Sequence, residues 1–183
     1  FILFSPAAYY RQFELYNLEI WPLHLLAGLF CLLMGYVLWR KPAWGRRVVS
    51  GLLVLGWCWV AWAFLYQRFY QIHVVADGYA VGFVLQAGLL GWFGVVRNRL
   101  VLIAVSQSRM VVGVGVLLFA ILFYPFIALM SGRSWLEFEM FGLAPDPTVL
   151  GTLALLLLYK APRVLYVIPV IWVRLSGVTL LVM

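Results

Sequence analysis

The chain has 183 residues, 66% of them hydrophobic and 10% charged, with a mean hydropathy of +1.04. Soluble domains are roughly half apolar and about a quarter charged, and one of this length has too little interior to hide the excess. Composition therefore excludes a soluble enzyme, a nucleic-acid-binding domain and a disordered regulator; it reads as an integral membrane protein, in which the position of a net charge of +7 matters more than its sum.

Residues 1–15 hold Arg11, Glu14 and several tyrosines. They lack the basic start and clean apolar run of a signal peptide. They predict a short helix lying on the outer membrane surface, capped by Ser5 with Pro6 at its first position. Tyr9, Tyr10, Phe13 and Tyr16 recur at helical spacing. Their rings are apolar and the tyrosine hydroxyls polar, so this face is expected to be an interfacial anchor.

A spanning helix needs about 20 mostly apolar residues. Six candidates follow in one domain over 1–183: 20–39, 48–66, 78–96, 110–129, 147–159 and 164–183, the fifth being the shortest. The third carries Gly82, Ala87, Gly88, Gly91 and Gly94. Small residues let helix backbones approach closely in lipid, so this helix is expected at the centre of the bundle. Gln86 lies among them and reads as interhelical glue or as the lining of a polar cavity. Leu100–Ser106 is apolar but too short to span, and is expected to be extended or interfacial.

The loops set the orientation. Arg40, Lys41, Arg46 and Arg47 follow the first span, Arg97, Arg99 and Arg109 lie between the third and fourth, and Lys160 and Arg163 separate the last two. These segments hold no acid. Glu14, Glu19, Asp77, Glu137, Glu139 and Asp146 all fall on the other face, with Arg11, Arg68 and Arg133. Lys and Arg are retained on the cytoplasmic side, so both termini are expected outside.

The longest outer loop runs from Ser131 through alternating acids and aromatics to Gly142-Leu143-Ala144-Pro145-Asp146-Pro147-Thr148. Two prolines around an acid predict a rigid turn, with Asp146 accepting from free backbone N–H groups at the start of the fifth span. Glu137 and Glu139 are two apart, which does not preassemble an acid–base pair; a solvated loop is expected. Arg174 stands about eleven residues past Arg163, roughly 16 Å into the membrane. A charge at that depth normally faces a partner, a cavity or, by snorkelling, a headgroup.

His24 near the outer end of the first span and His73 in an outer loop are the cofactor candidates. Hydrogen-bonded interfacial histidines outweigh haem or pigment contact, and no cofactor is predicted. Cys31 and Cys58 lie in apolar runs with no metal-ligand spacing, so no metal is predicted. Nucleotide loops, zinc-protease helices and nucleophile elbows are missing from the sequence, and no catalytic residue is assigned.

Several stretches resemble one bacterial membrane family, known as domain of unknown function 6064. They are Phe4-Ser5 with Tyr16-Asn17 and Ile20-Trp21-Pro22; Tyr66 with Tyr70-Gln71-Ile72, Ala76 and Gln86-Ala87; and Tyr124-Pro125. The most specific is Phe141-Gly142-Leu143-Ala144-Pro145-Asp146-Pro147-Thr148, followed by Ile168-Pro169 and Trp172. His73 and Arg174 depart from the family pattern. The resemblance implies a six-pass protein of the bacterial inner membrane and no particular activity.

The sequence is read first as a non-catalytic accessory or structural subunit of a larger respiratory or photosynthetic membrane complex. Its partners would be membrane lipids and other membrane subunits. The alternative is a small polar solute transporter or channel using Gln86, Arg174 and the acidic outer loops. A haem- or quinone-linked redox protein using His24 is the minor alternative.

Overall fold

A computed structural model describes residues 5–71, 75–102 and 106–182. His73 and part of Leu100–Ser106 lie outside the described residues. The described chain is helical except for one two-residue strand pair. Helix α1 is Pro6–Glu19, α2 Leu23–Arg40, α3 Gly45–Tyr66, α4 Ala76–Val96, α5 Gln107–Met130, α6 Pro145–Leu158 and α7 Val167–Val182. Four of them, α2 to α5, are long and apolar enough to cross a membrane, while α6 has 14 residues and a length of about 21 Å.

Local chemistry sets several boundaries. Ser5 caps α1 by accepting from the Ala8 N–H, with Pro6 at the first position, as the sequence predicts. The last turns of α3 and α4 widen to π geometry, seen as bonds from the Gln67 N–H to the Trp62 carbonyl and from the Arg97 N–H to the Trp92 carbonyl. In α5, Pro125 has no N–H to give the ladder, and Tyr124–Phe126 tightens to a 3-10 turn. Strand β1, Val101–Leu102, pairs antiparallel with β2, Tyr159–Lys160, so the stretch after α4 is tied to the chain just past α6.

The packing revises two expectations. The centre of the bundle is α6, not α4. Eleven of the fourteen residues of α6 are buried, whereas Gly78, Gly82 and Gly88 of α4 meet no atom that an added Cβ would touch. Of the α4 glycines only Gly94 is tightly covered, by Ser50. Small residues permit close approach but do not say which face is used. α6 is short because its ends are enclosed by the outer loop and the strand pair, so it needs less length than a lipid-facing span.

The aromatic face of α1 is the second revision. Tyr9, Phe13 and Tyr16 are buried in protein rather than set into the membrane surface. Phe13 stacks on Phe64 at 4.5 Å between centroids, and Tyr9 meets Phe69 edge-on at 5.8 Å. Ring stacking against α3 and the turn after it competes with lipid for the same apolar face and wins here. α2 and α5 behave oppositely: only 17% of each apolar window is buried, leaving most of both faces to the surroundings.

Candidate functional site

Residues 141–148 form the hub that joins the helices at one end of the bundle. Gly142 has φ +84°, a backbone state that favours glycine, and an added Cβ on Gly56 would lie 3.3 Å from its Cα. Phe141 fills the space above Gly151, where an added Cβ would overlap its ring. The Leu143 carbonyl accepts from the Tyr16 hydroxyl at 2.9 Å, and that hydroxyl accepts from the Trp59 indole at 2.7 Å. Thr148 closes the turn, accepting from the Gly142 N–H at 2.8 Å and donating to the Ala144 carbonyl at 2.6 Å.

Asp146 is the polar centre of this hub. Its Oδ1 accepts from the Trp172 indole at 2.7 Å; its Oδ2 accepts from the Ser176 hydroxyl at 2.8 Å and the Tyr124 hydroxyl at 3.3 Å. The expected bonds to backbone N–H groups give way to these side-chain donors. The reason is spacing: Trp172 and Ser176 are one turn apart on α7 and present two donors on one face. Asp146 thus ties α5, α6 and α7 together. Pro145 and Pro147, which flank it, lie in the first turn of α6, where missing N–H groups cost little.

Glu139 lies beside this hub and corrects the solvated-loop expectation. It is 6% exposed, and burial, followed by the nearby Asp146 charge, pushes its carboxyl up to about 8, against an opposing pull from Arg133. Arg133 Nη1 stands 3.7 Å from Glu139 Oε1, too far for a hydrogen bond, and its guanidinium lies 3.9 Å over the Tyr10 ring. Glu139 Oε2 and Arg133 Nη1 have no hydrogen-bond partner among the described residues. Burial and the same two carboxylates raise the Tyr9 hydroxyl well above its ordinary range. Glu137 takes a different role: its carboxylate accepts from the Ser134 N–H in a capping box.

The other candidates are dispersed. Gln86 is fully buried and donates to the Leu165 carbonyl at 2.9 Å, which makes it interhelical glue. Trp57 donates to Thr152 at 2.9 Å, and Thr152 to the Thr148 carbonyl at 2.7 Å, so these polar groups of α3 and α6 are consumed internally. His24 shares a 3.1 Å bond with Asn17 and packs on Trp21 and Phe138. Asn17 also donates to the Leu136 and Phe138 carbonyls, both at 2.8 Å, which fastens the outer loop to α1.

Arg174 is not brought near Gln86. Trp172 meets Tyr79 and Phe83 in the first turns of α4, at 5.5 and 4.9 Å, and Ser176 meets Asp146 at the start of α6. Arg174 lies between those two residues and is level with the beginnings of α4 and α6, not with mid-helix. It is exposed, in a stripe with Val167, Val170, Ile171, Val178 and Leu181.

The Asp146 hub was missed in the sequence as a side-chain network. Its signal was present in the pair Trp172 and Ser176, four apart, and in Tyr124 next to a helix-bending proline. A family profile described as "Family of unknown function (DUF6064)" matches residues 7–183. Neither the curated proteins nor the solved structures contain a match to the chain.

Proposed function

We propose that this chain, which belongs to the DUF6064 family of unknown function, is a six-span membrane protein acting as a non-catalytic accessory or structural subunit of a larger respiratory or photosynthetic membrane complex. On this reading residues 1–183 form one domain of the bacterial inner membrane, with both termini outside. α6 and the segment from Arg163 to Val182 supply the fifth and sixth spans beside the four longer helices. The nine basic residues of the inner segments support this orientation.

The observation that carries the functional reading is the burial of α6. A transporter needs a polar path near its axis, but this axis is filled by Val149, Ala154, Leu155 and Leu156, all fully buried. Its hydroxyls, Thr148 and Thr152, are occupied by bonds within the protein. The outward faces of α2 and α5 are left to lipids and neighbouring subunits. An apolar groove of about 320 Å³ between α2 and α3, lined in part by Phe30, Met34, Leu52 and Trp59, suits an acyl chain.

Reconstitution into liposomes tests the closed axis. Efflux of trapped small polar solutes and of protons should match protein-free liposomes. Protein-dependent efflux that saturates with solute would overturn the reading in favour of a transporter.

A further inference from the structure

The cluster around Asp146 and Glu139 has an unbalanced charge. Among the described residues, one guanidinium, Arg133, approaches Glu139; the charges of Glu139 and Asp146 also reach Tyr9 of α1 and Tyr124 of α5, and Tyr10 of α1 lies under the guanidinium. His24 packs on the adjacent Phe138. Buried charge without compensation is expensive, so a further positive charge belongs here. Asp146 has three side-chain donors, whereas Glu139 has one oxygen without a partner among the described residues and only the 3.7 Å approach of Arg133 on the other. The missing charge therefore belongs on Glu139.

We propose that Glu139 is a proton-binding site whose occupancy holds the outer loop against α1, and whose ionisation releases it. The loop is fastened on both sides of Glu139: Asn17 holds the Leu136 and Phe138 carbonyls, and Tyr16 holds that of Leu143. An ionised Glu139 sets an uncompensated charge beside the Asp146 carboxyl in this closed packing. Moving the segment into water relieves the repulsion and the desolvation together. The loop then responds to the pH of the compartment it faces, and presents to any neighbour a surface that differs between the two states.

Infrared spectra of the wild-type chain in lipid nanodiscs, titrated with acid and base, test the site directly. The predicted result is a protonated-carboxyl band that is present at neutral pH, lost on raising the pH, and missing from Glu139→Gln. A neutral-pH spectrum without that band, or one unchanged in Glu139→Gln, overturns the proposal; the wild-type titration stands even if the variant folds poorly. Loop release is read by a membrane-impermeant maleimide on Met140→Cys. Its rate, relative to the same cysteine in the Glu139→Gln background, should rise on the order of tenfold per pH unit until the carboxyl is ionised, then level off. A ratio that does not change with pH overturns the coupling to the loop.

Discussion

The Trp172 indole donates to Asp146 Oδ1 at 2.7 Å, joining two residues 26 positions apart at one end of the bundle. This bond, with those from Ser176 and Tyr124, makes one carboxylate the fastening point of three helices. Trp172→Phe keeps the ring contacts with Tyr79 and Phe83 but removes the donor. A hydrogen bond to a charged group contributes about 1.5–3 kcal/mol, so thermal unfolding in detergent should shift down by that order. Asp146→Asn should restore part of the loss in the Trp172→Phe background, because it removes the charge left undersatisfied.

Gly151 and Phe141 form a matched pair in the hub. An added Cβ on Gly151 would lie within 2.2 Å of the Phe141 ring. Gly151→Ala should therefore destabilise the chain by about 1–3 kcal/mol, the usual cost of overpacking. Phe141→Leu in the same chain should recover part of it. A double-mutant cycle measured by thermal unfolding checks this; strictly additive losses would deny the contact.

These two contacts show where sequence reading succeeds and where it stops. The apolar runs, the Ser5–Pro6 helix start and the special character of residues 141–148 were legible, because each is a local pattern. The partners of Asp146 were not, since Tyr124, Trp172 and Ser176 lie on two other helices. The central place of α6 was not legible, because the sequence marks it only as the shortest of the six candidates. Glu139 was read as solvated because alternation of acids with aromatics does not reveal which side the protein covers. The neighbours of Arg174 were not legible because they depend on where α4 and α6 begin.

Stability should depend on pH through Glu139, in a direction set by its raised carboxyl. The folded value is about 8 and the ordinary value 4.5. The protonated form is shared by both states below about pH 4.5, so the stabilisation is complete there. As pH rises from about 4.5 to about 8, the unfolded chain ionises more readily and stability falls. Above that window it levels off. Unfolding temperatures should therefore decline from acid to mildly alkaline buffer in the wild type, and Glu139→Gln should flatten this slope. A wild-type curve that rises through the same window would contradict the assignment.

Arg174 is exposed on α7, and its long stem can lie among acyl chains while its guanidinium reaches toward headgroups. Arg174→Leu should change the stability of the isolated chain by no more than about 0.5 kcal/mol. Trp172→Phe, two residues away, should cost more by the same unfolding assay. A large loss from Arg174→Leu would mean that the arginine has a partner within this chain.

As proposed, the closed bundle serves as one component of a larger membrane assembly. Native mass spectrometry of the chain released from its own membranes in lipid nanodiscs tests it most directly. The predicted result is a discrete species containing this chain together with other polypeptides in fixed ratio, which separates only under stronger activation. A species containing this chain alone with lipids, in repeated mild extractions, would contradict the claim.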